Sequence, residues 1–313
     1  MEISRRRVML VLLFYLCGPI EALGQNVERV IMAVPGIGLS ELPAFVAQEK
    51  GFYKQERLQV LIVMMDGIAT RAMIGGDIDF NLALASGVSA ILNGAPVKGV
   101  MGMTTRGTQS FVVKPEINSA ADLKGKIVGV SGFGGSTHHG ALLVLEHLGV
   151  DTKDVSILNV GNSSLRLAAL RFKKIDATIL DTAFVRKAEE LGFKRLVSLA
   201  DLGEIPSTGL MVTTTKLKKQ PDQIRRVVRA TLNGTSYFKE NRGDMISFIV
   251  KKLAVETKEA EELFELGVKV FSSNGRISDE GLSVLWRQRD PKRQLPIKPS
   301  DVVDWSFLPT KLE

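Results

Sequence analysis

Residues 131–140 read SGFGGSTHHG, with glycines at 132, 134 and 135, a Ser136-Thr137 pair and two of the chain's three histidines, His138 and His139. They stand between an apolar run, Lys126 to Val130, and a leucine-rich one, Ala141 to Leu145. Such a stretch could cradle a phosphate, hold a catalytic histidine, bind a metal or form the wall of a pocket. A phosphate loop needs a lysine after its last glycine to reach the terminal phosphates, and here Ser136 follows Gly135. A dinucleotide fingerprint needs a third glycine where Thr137 stands, and an acidic residue closing the next strand, where Asn159 and Asn162 occur. A serine-hydrolase elbow fails because Phe133 replaces its final glycine. Adjacent histidines point in different directions on a helix, and no Cys, Asp or Glu stands close by, so no metal site is expected. His147 lies on a leucine-rich helix and reads as structural.

One property survives these eliminations. A glycine loop opening a helix points free backbone amides, and the positive end of the helix dipole, into the space above it. That favours an anionic or strongly polar ligand group. The same dipole disfavours cationic histidines in the first turn, so His138 and His139 are expected as neutral imidazoles. Ser136 or Thr137 is expected to cap the helix. The loop Gly36 to Ser40 occupies the equivalent place earlier in the chain. Two such loops facing one another across a crevice would make a ligand clamp.

The elements that must position these loops follow from periodicity. Strand Val30–Val34, a helix from about Glu41 to Lys50 and strand Leu58–Met64 make one βαβ unit, which implies parallel strands. Strand Lys126–Val130, helix Ser136–Leu148 and strand Val155–Val160 repeat it. The stretches 71–79 and 168–176 echo one another and end in Ile78-Asp79 and Ile175-Asp176, leading into predicted strands Phe80–Leu84 and Ala177–Leu180. Asp79 and Asp176 therefore read as strand-entry residues at equivalent points. Strands Ser110–Val113 and Gly209–Thr213 follow turn signals, as expected where the chain crosses between halves. From Pro221 onward the pattern is helical, over about 221–239, 243–253, 256–270 and 278–288.

A chain of 313 residues with 45% hydrophobic and 24% charged residues is long enough for two folded domains and excludes wholesale disorder. Its net charge of +7 carries no basic block with interleaved aromatics, so no nucleic-acid partner is expected. Ser4-Arg5-Arg6-Arg7, the apolar run Val8 to Leu16 and the small-residue exit Ala22-Leu23-Gly24 describe a secretory signal peptide over 1–24, cleaved near Gly24-Gln25. No other run approaches the 18 apolar residues of a membrane span. Cys17, the sole cysteine, lies inside the leader, so the mature chain is expected to have no disulfide or thiol chemistry. The expected location is a bacterial periplasm.

Residues Leu42 to Tyr53, Gly76 to Phe80, Asn93 to Val97 and Ser119 to Lys126 carry a family resemblance. The chain resembles the type 2 periplasmic substrate-binding proteins of ABC importers, in the group binding nitrate, taurine, alkanesulfonates and thiamine-pyrimidine precursors. The resemblance covers roughly residues 28–215. It implies an α/β fold of two lobes, each a mostly parallel sheet flanked by helices, joined by two crossing hinge segments. Lobe I would comprise 25–107 and 208–313, and lobe II 108–207. The resemblance also implies ligand contacts at Gly38, Leu39, Ser40, Ser86, Thr104, Thr105, Gly134, Gly135, Ser136, Thr137, His138, Asn162 and Asp181, with Ile37, Ala85, Ser163 and Thr182 beside them. The chain departs from the family pattern at Arg171-Phe172-Lys173-Lys174, where a small-residue turn containing glycine is usual. A related enzyme that makes the thiamine pyrimidine needs a cysteine-rich segment, which the mature chain would lack. The expectation is a monomeric exported binder of a small polar or anionic solute (a sulfonate, carboxylate or pyrimidine-like compound). It would serve an ABC permease and need no cofactor or metal. The alternatives are an enzyme using His138 or His139 with Asp181, and a ligand-sensing subunit.

Overall fold

The computed structural model describes residues 27–65, 67–287 and 297–310. The leader, its cleavage point and Cys17 lie outside the described residues.

The first half opens with β1 (Glu28–Val34), α1 (Leu42–Glu49), α2 (Phe52–Gln55), β2 (Leu58–Met64), α3 (Ala69–Gly75), β3 (Phe80–Asn81), α4 (Leu84–Ile91) and β4 (Val97–Gly102). The chain then crosses to β5 (Gln109–Val113), β6 (Ile127–Val130), α5 (Ser136–His147), β7 (Ser156–Asn159), α6 (Ser163–Arg171), β8 (Ala177–Asp181), α7 (Thr182–Glu190) and β9 (Lys194–Ser198). It returns through β10 (Gly209–Thr213) to α8 (Thr214–Lys219), α9 (Pro221–Glu240), α10 (Arg242–Leu253), α11 (Thr257–Val270), α12 (Asp279–Arg287) and α13 (Pro299–Val302).

Two five-stranded sheets result, ordered β2-β1-β3-β10-β4 and β7-β6-β8-β5-β9. In the first, β1 runs parallel to β2 and β3, while β10 is antiparallel to β3 and β4. The second repeats this: β6 is parallel to β7 and β8, and β5 is antiparallel to β8 and β9. Each antiparallel strand is the one delivered by a crossing from the other half.

Alternation along the strands sends side chains to two cores per sheet. Val30, Met32 and Val34 pack with Ala44 and Ala47 of α1 and Val227 and Val228 of α9, while Ala33 packs on the opposite face with Leu84, Val88 and Leu282. In the second sheet Phe111 and Val113 join Val144 and Leu145 of α5, and Val112 joins Leu167 and Leu170 of α6.

Asp79 and Asp176 do occupy equivalent points. Each closes a pair of backbone bonds with the parallel strand beside it and meets the lysine that follows the incoming antiparallel strand. Asp79 Oδ2 accepts the Ile31 amide at 2.8 Å and its Oδ1 meets Lys216 Nζ at 2.8 Å. Asp176 Oδ2 accepts the Ile127 amide at 2.9 Å and its Oδ1 meets Lys114 Nζ at 2.6 Å. The carboxylates are committed to holding the sheets together.

Two expectations are corrected. The stretch Phe80–Leu84 is a strand only at Phe80–Asn81, because Asn81 Oδ1 takes the Ala83 amide at 3.0 Å and ends it. Leu84, Ala85 and Val88 then bury one face of α4, where helical spacing overrides the apolar run. Nor does Ser136 or Thr137 cap α5. Gly135 is the N-cap, and Thr137 Oγ1 turns back to accept the Ser131 amide at 2.8 Å.

The turn at 171–174 shows how its missing glycine is managed. After α3, Gly76 adopts φ +90°, with the Asp77 amide reaching the Ala72 carbonyl at 3.0 Å. After α6, Lys173 takes the corresponding left-handed place at φ +58°, with the Lys174 amide on the Ala169 carbonyl at 2.8 Å. This is a helix stop that glycine makes without steric cost. A side chain there costs about 1–2 kcal/mol, partly offset by the smaller backbone entropy it loses on folding. The substitution Lys173→Gly is therefore expected to raise the urea midpoint, by about 0.5–1 kcal/mol of stability. An unchanged or lowered midpoint would show that the lysine relieves this strain elsewhere.

Candidate functional site

The two crossings lie side by side. The Met103 and Thr104 amides both donate to the Thr208 carbonyl, at 2.9 and 3.2 Å, and the Ile205 amide donates to the Thr105 carbonyl at 2.9 Å. Thr104 is fully buried, and its Oγ1 accepts the Ser207 and Thr208 amides at 3.3 and 3.1 Å. Thr105 donates through both its amide and its hydroxyl to the Val270 carbonyl, at 2.8 and 3.1 Å. Both threonine hydroxyls are thus engaged within the hinge. Leu39 is likewise committed, buried in a cluster with Val46, Phe238 and Ala200.

Two loops at the carboxyl ends of β1 and β6 border the space between the sheets. On the β6 side Gly134 adopts φ +77°, and its carbonyl accepts Ser89 Oγ of α4 at 2.8 Å. A side chain at Gly134 would press on Ser89 at 3.4 Å, and a Cβ at Gly135 would lie 3.8 Å from Ser86 Oγ. These glycines let the two halves touch. The Gly134 amide donates to His138 Nδ1 at 3.1 Å. That bond leaves Nδ1 without a proton, so His138 is the neutral tautomer with hydrogen on Nε2. His139 is buried, its Nε2 lying 3.3 Å from Ser89 Oγ. Ser136 opens α5 at the loop's end, partly exposed.

On the β1 side, the amide of Gly38 donates to Glu41 Oε2 at 3.1 Å, and Ser40 Oγ meets Thr108 Oγ1 at 3.1 Å across the start of β5. Thr182 Oγ1 donates to the Thr108 carbonyl at 3.0 Å. The next residue, Gln109, donates from Nε2 to Asp181 Oδ1 at 2.8 Å, and Ser163 Oγ donates to Asp181 Oδ2. Beneath this lies Arg166, buried, bonded to the Ile179 carbonyl at 3.0 Å, Ser163 Oγ at 2.8 Å and the Gly161 carbonyl. Asn162 caps α6 by accepting the Leu165 amide at 3.1 Å. Hence Gly38, Ser40 and Asp181 gather at one end of the cleft, and Ser86, Gly134, Gly135 and His138 at the other. Thr137 is turned back onto Ser131, and Asn162 caps its own helix.

Burial, and next the charge of Asp181, push the Glu41 carboxyl up to about 8. Only 6% of Glu41 is exposed, so its charged form would lose most of its hydration. Sequence reading placed Glu41 at the start of a helix. Its position three residues after Gly38, where a side chain can reach back to a loop amide, is the signal that marks it. Ser89 carries no signal of its own in the sequence, because the helix α4 that places it follows the expected strand Phe80–Leu84 without any helix prediction.

On the opposite flank Arg186 of α7 reaches Glu256, the N-cap of α11, and Glu259 within that helix, at 3.6 and 3.9 Å. The halves therefore meet on both sides of the space they enclose. Among the described residues no helix is long and apolar enough to cross a membrane, and no cluster of three metal-ligating side chains occurs.

Two mixed α/β sheets, doubly connected, with polar loops meeting between them, define a periplasmic-binding-protein fold. The chain belongs to the NMT1/THI5 like family, which matches residues 40–243. It is 26% identical over 220 residues to the riboflavin-binding protein RibY of Chloroflexus aurantiacus, covering 67% of this chain and 61% of that relative. The chain thus spans less than two thirds of that relative's length. A solved protein of Bordetella bronchiseptica superposes with a TM-score of 0.76 at 22% identity, over 89% of this chain and 95% of that one. The alkanesulfonate-binding protein SsuA of Xanthomonas axonopodis gives 0.71 at 17%, over 88% and 96%. The fold is not confined to binders, since the desulfurization enzyme DSZB gives 0.57 at 15%, over 84% and 90%.

The raised Glu41 pKa has a measurable consequence. The folded chain keeps a proton that the unfolded chain surrenders near pH 4.5, so stability falls as pH rises from about 4.5 to 8. Glu41→Gln removes this dependence while keeping an acceptor for Gly38. Chemical denaturation should find that variant level with wild type at pH 4 and ahead by on the order of 2–4 kcal/mol at pH 8. Parallel pH profiles for the two proteins would refute a buried, protonated Glu41.

Proposed function

We propose that the protein is an exported solute-binding protein. It captures a small polar organic solute between lobe I (25–107 with 208–313) and lobe II (108–207) and hands it to an ABC importer. The reading rests chiefly on the paired crossings. They fix the halves at one edge through Thr104 while leaving their loops to close on a guest, and lobe closure is what a permease can sense. Periplasmic location and a monomeric state go with it.

The enzyme reading loses support from how its candidates are engaged. His138 Nδ1 accepts the Gly134 amide, His139 is buried against Ser89, and Asp181 bonds to Gln109 and Ser163. A general base needs its lone pair aimed at a substrate proton. The His138 pair of electrons on Nδ1 is spent on the loop.

Thermal unfolding of the purified protein against sulfonates, nitrate, carboxylates, aminopyrimidines and riboflavin tests this. A solute at a hundred times its dissociation constant should stabilise by about 2.7 kcal/mol, a shift of several degrees. The compound should be recovered unchanged after prolonged incubation. Conversion of the compound would establish the enzyme instead, and no shift with any class would count against a solute-binding role.

A further inference from the structure

The turn at 171–174 departs from what the fold alone requires, and its counterpart in the first half shows by how much. Ile74-Gly75-Gly76-Asp77 joins α3 to β3, and Arg171-Phe172-Lys173-Lys174 joins α6 to β8. Both turns place a left-handed residue third, Gly76 and Lys173, and both close on the same backbone bond. The buried residues on either side also correspond, Met73 and Ile78 with Leu170 and Ile175. One acid among small residues has nevertheless become three cations around a ring. Lys173 keeps a conformation that glycine adopts without steric cost.

All four residues of the second turn are exposed. Phe172, at 72%, is the most exposed large apolar side chain among the described residues. Among those residues no carboxylate pairs with Arg171, Lys173 or Lys174. Asp176, the acid nearest in sequence, is held by Lys114 and the Ile127 amide. Lys126, which leads into β6 at the same end, adds a further cation. The position of the turn decides the kind of partner. β8 runs parallel to β6, whose carboxyl end carries the glycine loop of the cleft, so the turn before β8 stands at the opposite pole. A permease that senses closure must touch both halves beside the cleft, which one far pole does not do. Nor is a projecting turn of four exposed residues a groove for a peptide. A ring set among cations suits a yielding anionic surface, the ring entering at headgroup level while the cations meet phosphates.

We infer that the turn Arg171 to Lys174 is a docking tip for anionic lipid headgroups, through which the far pole of the second half rests on a membrane surface. This goes beyond solute capture and stands or falls separately from it, since the turn lies outside the cleft.

Cosedimentation with lipid vesicles tests it, using protein purified after export and vesicles of phosphatidylcholine with or without phosphatidylglycerol. Wild type should bind the anionic vesicles and release them as salt rises from roughly 0.05 to 0.5 M. Phe172→Ala should weaken binding about tenfold, and Arg171→Gln with Lys174→Gln about fivefold for each charge removed. Lys173→Gly is the sharpest variant, because it should lose affinity while keeping or gaining stability, so unfolding does not explain the loss. Ile74→Ala, in the equivalent turn of the first half, should bind as wild type does. Absence of binding to anionic vesicles overturns the inference. Equal binding by wild type and the Phe172 and Lys173 variants overturns it too, as does an equal loss in Ile74→Ala. Binding only to native membranes, abolished when those membranes are first treated with protease, would assign the turn to a protein partner and overturn the lipid one.

Discussion

One threonine hydroxyl holds the architecture in register. Thr104 Oγ1 accepts two amides of the returning crossing inside a fully buried pocket, so the outgoing and incoming chains are stitched together at the only level where the sheets are joined covalently. Because of that stitch, β5 and β10 enter their sheets antiparallel and in fixed register. Gln109 is thereby placed opposite Asp181 at the mouth of β8, close enough to bond its carboxylate. Ser40 and Thr108 meet for the same reason. The site's geometry is thus set from the hinge outward, and an unpaired hydroxyl or amide there would leave buried polar groups unsatisfied.

The forces holding the halves together away from the hinge are light. Arg186 is 34% exposed and its partner Glu256 82%, so that pair contributes little in water. Glu259 is more buried, and desolvation raises its pKa against the pull of Arg186, so the pairing there is partly spent on dehydration. Across the α4 seam the contacts at Ser89 are neutral hydrogen bonds, its hydroxyl donating to the Gly134 carbonyl and meeting His139 Nε2. A seam of this kind can open for a modest free energy. A guest that pays with its own contacts can then decide which state is populated.

Much of the fold was legible in the sequence. Parallel strands buried on both faces read as apolar runs, and the repeated strand–loop–helix spacing betrayed the two halves. The equal roles of Asp79 and Asp176 followed from their common place after the same echo. What escaped was set by tertiary context. Leu82 to Leu84 look like the tail of a strand until Asn81 is seen to stop the ladder, and the helix that follows, Leu84 to Ile91, has no signal in the apolar run itself. Thr104 and Thr105 also bond within the hinge and Leu39 packs in the core, roles that residue type alone does not reveal. Glu41 was hidden because nothing in its neighbours says that Phe238 and α11 will cover the turn on which it sits.

The two halves diverge most where they meet. In the first, the loop amide of Gly38 is taken by the carboxyl of Glu41; in the second, the loop amide of Gly134 is taken by the imidazole of His138. These are the same device, a side chain a turn later reaching back to a glycine N–H, built from an acid in one half and a base in the other. Used with one residue type it would give a cleft with two similar ends. Used with two, it makes the ends chemically different. The protonated Glu41 carboxyl, with the Asp181 carboxylate near it, stands at one end, and the α5 amides with a neutral His138 stand at the other. Duplication accounts for the frame, and this asymmetry is what would let a symmetric frame hold an unsymmetrical solute in one orientation.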